Sequence, residues 1–133
     1  MEFYVEGPPK TKALIESLLP SMLAQLKLTK SRKLLHIKVD RELEDLGTTV
    51  PLTGIDTYLI VLKPNKDLTV MAATLAHELT HVYQFSKGIL QVARKGKMWK
   101  GKFYPTRYPY LKQPWEIQAF AKQEIIMRRA FEE

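Results

Sequence analysis

The chain has 133 residues, 45% hydrophobic and 26% charged, which suits one hydrophobic core and is too short for two ordinary domains. It contains no cysteine, which excludes disulfides, thiolate zinc sites and a cysteine nucleophile. The formal charge is +7, and the excess gathers in RKGKMWKGK, residues 94–102, with five basic residues and no acidic one.

The amino-terminal stretch MEFYVEGPPK lacks the basic segment and apolar run of a secretory signal, and no apolar stretch approaches the length of a membrane span. A cytoplasmic location without membrane association is the expectation. After Gly7-Pro8-Pro9, the apolar residues Leu14, Ile15, Leu18, Leu19, Met22, Leu23 and Leu26 recur at helical spacing, with Pro20 expected to kink or divide the helix. Residues 33–39, KLLHIKV, alternate as a strand, and a polar link with Gly47, Pro51 and Gly54 follows. Residues 57–64, TYLIVLKP, read as a second and more fully buried strand.

Asp67 is placed to cap a helix from about Leu68 to Ser86 that stops at Gly88. ILQVAR and MWKGKFYP read as hairpin arms around Gly96 and Gly101, and Pro114 suits the first turn of a last helix running from about Trp115 to Phe131. This order predicts one α+β domain over residues 1–133.

Two of the three histidines fall in TLAHELTHVYQF, residues 74–85. His77 and His81 are four apart on the predicted helix, so both imidazoles leave one face and can reach a single ion. Glu78 is rotated by one position, which suits it to a water beside the ion and to work as general base. This is the physical content of HExxH on a helix, and it supplies two thirds of a zinc site. The plainer alternative is a pair of polar residues on an amphipathic helix.

Catalytic zinc normally takes three protein ligands. The candidates for the third are Glu116, at the start of the last helix with Ala119 allowing close packing, then Glu124 and His36. Glu124 would otherwise support a histidine from behind. Tyr104, Arg107, Tyr108 and Tyr110 are candidates to stabilise an oxyanion, and residues 57–64 to offer a strand edge to an extended peptide.

TLAHELTHVYQF followed by PWEIQAFAKQE resembles the small gluzincin-type metallopeptidases, including compact metallopeptidase-like proteins of phages and prophages. The resemblance spans roughly residues 57–131. It implies a compact zincin-like fold, a zinc ion on His77, His81 and Glu116, Glu78 as catalytic base, and a protein or peptide substrate. The SprT-like group is a more distant likeness, because its third ligand is a downstream histidine and no histidine follows His81 here. The NExxSD-like segment of longer gluzincins is also absent.

A reading from another class is a non-enzymatic binding protein of the same fold. It would dock nucleic acid or another protein through residues 94–102, with Trp99 and Phe103 stacking on bases.

Overall fold

Four short segments build the main sheet, two with alternating apolar residues, one almost wholly apolar and one of mixed composition. A computed structural model describes residues 1–132, and its four-stranded sheet has the order β1 (Glu2–Glu6), β2 (Leu34–Val39), β4 (Thr57–Leu62), β3 (Gly47–Leu52). β1, β2 and β4 run parallel, and β3 is antiparallel to β4. The register aligns Val5, Ile37 and Ile60 in one row and Phe3, Leu35 and Tyr58 in the next. Those rows face the helices and hold the centre of the core. The opposite face carries exposed Tyr4, Leu34 and Val50.

Two strands lie outside the sequence expectation. β1 was hidden by its charged ends, and β3 by Gly47 and Pro51, which read as a link. Both residues are tolerable in β3 because it pairs on one side only. β4, by contrast, is hydrogen-bonded on both sides, so the expected free edge at residues 57–64 is corrected to β3.

Three helices pack on the core. α1 (Pro9–Gln25) continues unbroken through exposed Pro20, correcting the expected division, and buries Ile15, Leu18, Leu19 and Met22. α2 (Leu68–Ser86) begins where the Asp67 carboxylate accepts a hydrogen bond from the Thr69 N–H at 2.9 Å, and Gly88 takes φ +71° just beyond its end. Every residue from Leu75 to Val82 on α2 is buried, because the helix lies between the sheet and α3 (Pro114–Glu132). Ala119 is fully buried and lets α3 approach closely. Burying a single Leu or Ile here stabilises the fold by about 1.5–3 kcal/mol. None of the described helices is long and apolar enough to cross a membrane.

The basic segment lies in a separate three-stranded meander, β5 (Leu90–Ala93), β6 (Gly96–Trp99) and β7 (Lys102–Pro105). Its own small cluster is Leu90, Trp99 and Trp115, bordered by Phe85, Ile89 and Tyr104. Trp99 is therefore buried, which corrects its expected role as a stacking platform; Phe103 is exposed.

Candidate metal centre

His77 and His81 leave α2 toward α3, where the first turn brings Glu116 against them. His77 Nε2 is 2.8 Å and His81 Nε2 3.1 Å from the same oxygen, Glu116 Oε1. The other ring nitrogens are held from behind. His77 Nδ1 donates to Gln123 Oε1 at 2.7 Å and His81 Nδ1 to Gln84 Oε1 at 2.8 Å. Gln84 cannot turn round, because its Nε2 donates to the Trp115 carbonyl at 3.0 Å and to Gln118 Oε1 at 2.9 Å. With both Nδ1 atoms committed as donors, both Nε2 atoms face the carboxylate.

Glu78 occupies a different place. It follows His77 by one residue, about 100° round the helix, and turns toward β3. Thr49 Oγ1 donates to Glu78 Oε1 at 2.7 Å. Thr49 reaches it because the register sets Thr49 opposite Ile60, in the row facing the helices. Gly47, two residues earlier on the same face, leaves the space Glu78 fills. A Cβ on Gly47 would stand 2.8 Å from Thr74 Cγ2 and 3.0 Å from Glu78 Cγ.

These groups line a cleft of about 450 Å³ between β3, α2, α3 and the meander. His77, Glu78, His81 and Glu116 are 5–8% exposed, so their charges must be met inside the protein. Burial raises the Glu78 carboxyl above the usual carboxylate range, and the opposing pull of His81, the Thr49 hydroxyl and His77 does not cancel it. Burial would raise Glu116 too, but hydrogen bonds from His77 and His81 prevail and hold its carboxyl at about 2. His77 is raised: burial disfavours its cation, and its bonds to Glu116 and Gln123 with the nearby carboxylates outweigh that. Two neighbouring carboxyls driven in opposite directions are the usual ground for dividing roles between them.

The donor set fits a zinc ion. Two imidazole nitrogens and a carboxylate oxygen are what catalytic zinc takes, and tetrahedral ligands at about 2.0–2.1 Å from zinc stand about 3.3 Å apart. The observed 2.8 and 3.1 Å are a few tenths shorter. Facing a carboxylate, neutral Nε2 atoms would have no proton to share, so the pocket calls for positive charge between them. A ring nitrogen of each histidine and a carboxylate oxygen of Glu78 also lie within 4.8 Å of one another, which sets Glu78 beside the ligands. The spacing and geometry are those of a zincin-like metal site.

No family model, curated protein or solved structure matches the chain.

The remaining candidates separate cleanly. His36 is on the outer face of the main sheet, paired with Glu6 at 2.6 Å. Glu124 is exposed; Gln123, one residue earlier, takes the supporting position expected of it. Of the four oxyanion candidates only Tyr110 lines the cleft, with its hydroxyl donating to Glu116 Oε1 at 3.2 Å. Its phenol is pushed above the usual range by burial and then by the Glu116 charge. Tyr104 and Tyr108 pack edge to face at 5.0 Å, and Arg107 is exposed. Thr49, Gln84 and Gln123 were not singled out in the sequence, and Gly47 figured there only as part of a link. The one available signal was Gln84, three residues after His81 on the same helical face.

Proposed function

We propose that the chain is a zinc-dependent metallopeptidase of gluzincin type, an endopeptidase acting on extended peptides. The observation that carries this reading is the convergence of His77 Nε2, His81 Nε2 and Glu116 Oε1 in a cleft, with a separately held Glu78 beside them. His77, His81 and Glu116 would hold the zinc. A zinc ion there supplies Lewis acidity, polarising a carbonyl oxygen and lowering the pKa of water.

Glu78 is the general base. Its carboxylate takes a proton from the attacking water, the water oxygen bonds to the scissile carbon, and the same carboxyl returns the proton to the leaving amide nitrogen as the C–N bond breaks. Its raised pKa favours both halves of that cycle. Thr49 fixes the carboxylate on the side of β3, and Gly47 leaves room for it. Tyr110 lines the cleft and is kept protonated by its raised pKa; on this reading its O–H leaves Glu116 for the developing oxyanion when substrate binds. The free edge of β3 offers backbone N–H and C=O groups to an extended substrate.

The test is hydrolysis of a mixed peptide library by zinc-loaded wild type and E78Q, read by mass spectrometry. E78Q keeps size and hydrogen bonding but removes the base, so zinc content and folding should persist. Cleavage should fall by about 10²–10⁴ or more. Cleavage unchanged in E78Q would refute the mechanism, and a wild type that retains no zinc would refute the proposal as a whole.

A further inference from the structure

The basic segment 94–102 divides in the fold. Arg94, Lys95, Lys100 and Lys102 are exposed, whereas Lys97 is half-buried and lines the same cleft as the metal centre. Lys97 and Trp99, two apart on β6, share the face turned toward α2 and α3. Trp99 completes the small apolar cluster, and Lys97 Nζ stands 5.4 Å from the centre of the Trp115 ring, which with Lys97 also lines a smaller adjoining cavity of about 110 Å³. Lys97 is the sole lysine or arginine among the residues lining the cleft. No carboxylate of the described residues forms an ion pair with it. A half-buried lysine whose ammonium stands over an aromatic ring, with no ion-pair partner, can receive an anion from outside.

The cleft has direction. One end lies where Gly47 meets Thr74, close to Asp45 and Leu46; the other lies at Phe85 and Leu90, with Lys97. Thr74 and Phe85 are eleven residues apart on α2, about 16 Å, which an extended peptide covers with about five residues. His81 to Phe85 is four residues, about 6 Å, so a group meeting Lys97 belongs to a residue about two removed from the metal centre.

We propose that Lys97 determines substrate specificity by receiving a peptide carboxylate at the Phe85–Leu90 end of the cleft. The preferred substrates are peptides with an acidic side chain, or the chain's own terminal carboxylate, about two residues from the scissile bond. This rests on the peptidase reading for its setting, but the binding it describes does not need hydrolysis.

One peptide library serves both questions. It contains matched peptides with Glu or Gln at each position, each with a free or an amidated carboxyl terminus. Cleavage by zinc-loaded wild type gives kcat and KM; binding of labelled peptides to zinc-loaded E78Q gives Kd. At low salt the carboxylate form should have KM and Kd lower by about tenfold, with kcat little changed. K97M, which keeps the aliphatic stem over Trp115, should erase that preference; K97R should keep it. Equal zinc content and circular dichroism would show that both variants are folded. A Glu-over-Gln effect that survives amidation identifies the side chain, and an effect abolished by amidation identifies the terminus. If wild type binds carboxylate peptides through Lys97 but hydrolyses none, the peptidase reading falls and this one stands. If all forms are cleaved alike, or K97M retains the preference, the Lys97 assignment is overturned while the peptidase reading stands. Failure to bind any carboxylate peptide in preference to its amide overturns it as well.

Discussion

The molecule has two apolar clusters of very unequal size, and the cleft lies where they meet. The larger joins the inner face of the main sheet to all three helices; the smaller is Leu90, Trp99 and Trp115 beneath the meander. His77, Glu78, His81 and Glu116 stand on α2 and α3, both anchored in the larger cluster, whereas Lys97 stands on β6, which gives Trp99 to the smaller. Reacting groups need positions fixed to within fractions of an ångström, which a thick core provides. A substrate-selecting cation tolerates a thinner support. On the proposed function, catalysis and selection rest on separately stabilised parts of one small fold.

The most severe way to break that contrast is to cut each cluster in turn. Leu79→Ala, at a fully buried position on α2, should cost about 2–5 kcal/mol of global stability by urea denaturation. Leu90→Ala, equally buried but in the small cluster, should act locally. Amides of the meander should exchange faster while those of α2 keep their protection. Equal loss of protection in α2 and the meander on Leu90→Ala would show one cooperative unit and dissolve the distinction.

A smaller effect should follow from crowding the general base without touching a ligand. Gly47→Ala places a methyl against Thr74 and Glu78. It should lower kcat by about 10- to 100-fold, the scale that a misplacement of about 1 Å produces. Zinc content should be unchanged. Unaltered kcat in a variant whose β3 is intact would show that Glu78 does not depend on this space.

The mildest effect is the pH dependence of the metal-free protein. Glu116 is lowered from 4.5 to about 2, so its contribution to stability is full above pH 4.5 and is lost as pH falls toward 2. His77 is raised above 6.5, so its contribution is full below 6.5 and is lost as pH rises through the folded value. Glu78, also raised, adds to the decline with rising pH. Urea midpoints of metal-free protein should therefore rise from pH 2 toward pH 4.5, begin to decline beyond it as Glu78 ionises, and fall further above 6.5 with His77. Zinc, which takes the place of the protons, should remove the fall above 6.5. Identical pH profiles with and without zinc would separate these groups from the metal.

Much of this arrangement was legible in the sequence where periodicity was strong. The strand at residues 57–62, α2 with its Asp67 cap, α3 opening at Pro114, and the HExxH pair all follow from spacing and capping chemistry. β3 was not legible, because a residue like Gly47 signals a turn until its neighbour Glu78 explains it. Gln123 in place of Glu124 reflects the same limit: one residue is about 100° of helix, and only packing fixes which side faces inward. The charge of segment 94–102 was plain in the sequence, but not that one of its five basic residues lines the cleft. That depends on the register of β6 against Trp115.

A crystal structure of the zinc-loaded protein tests the central claim most directly. The expected result is one zinc per chain on His77 Nε2, His81 Nε2 and a Glu116 oxygen, each about 2.0–2.2 Å from the ion, with Glu78 unligated and still bonded to Thr49. A third position filled by Glu78, Glu124 or His36, or a chain that takes up no zinc at neutral pH, would contradict the account.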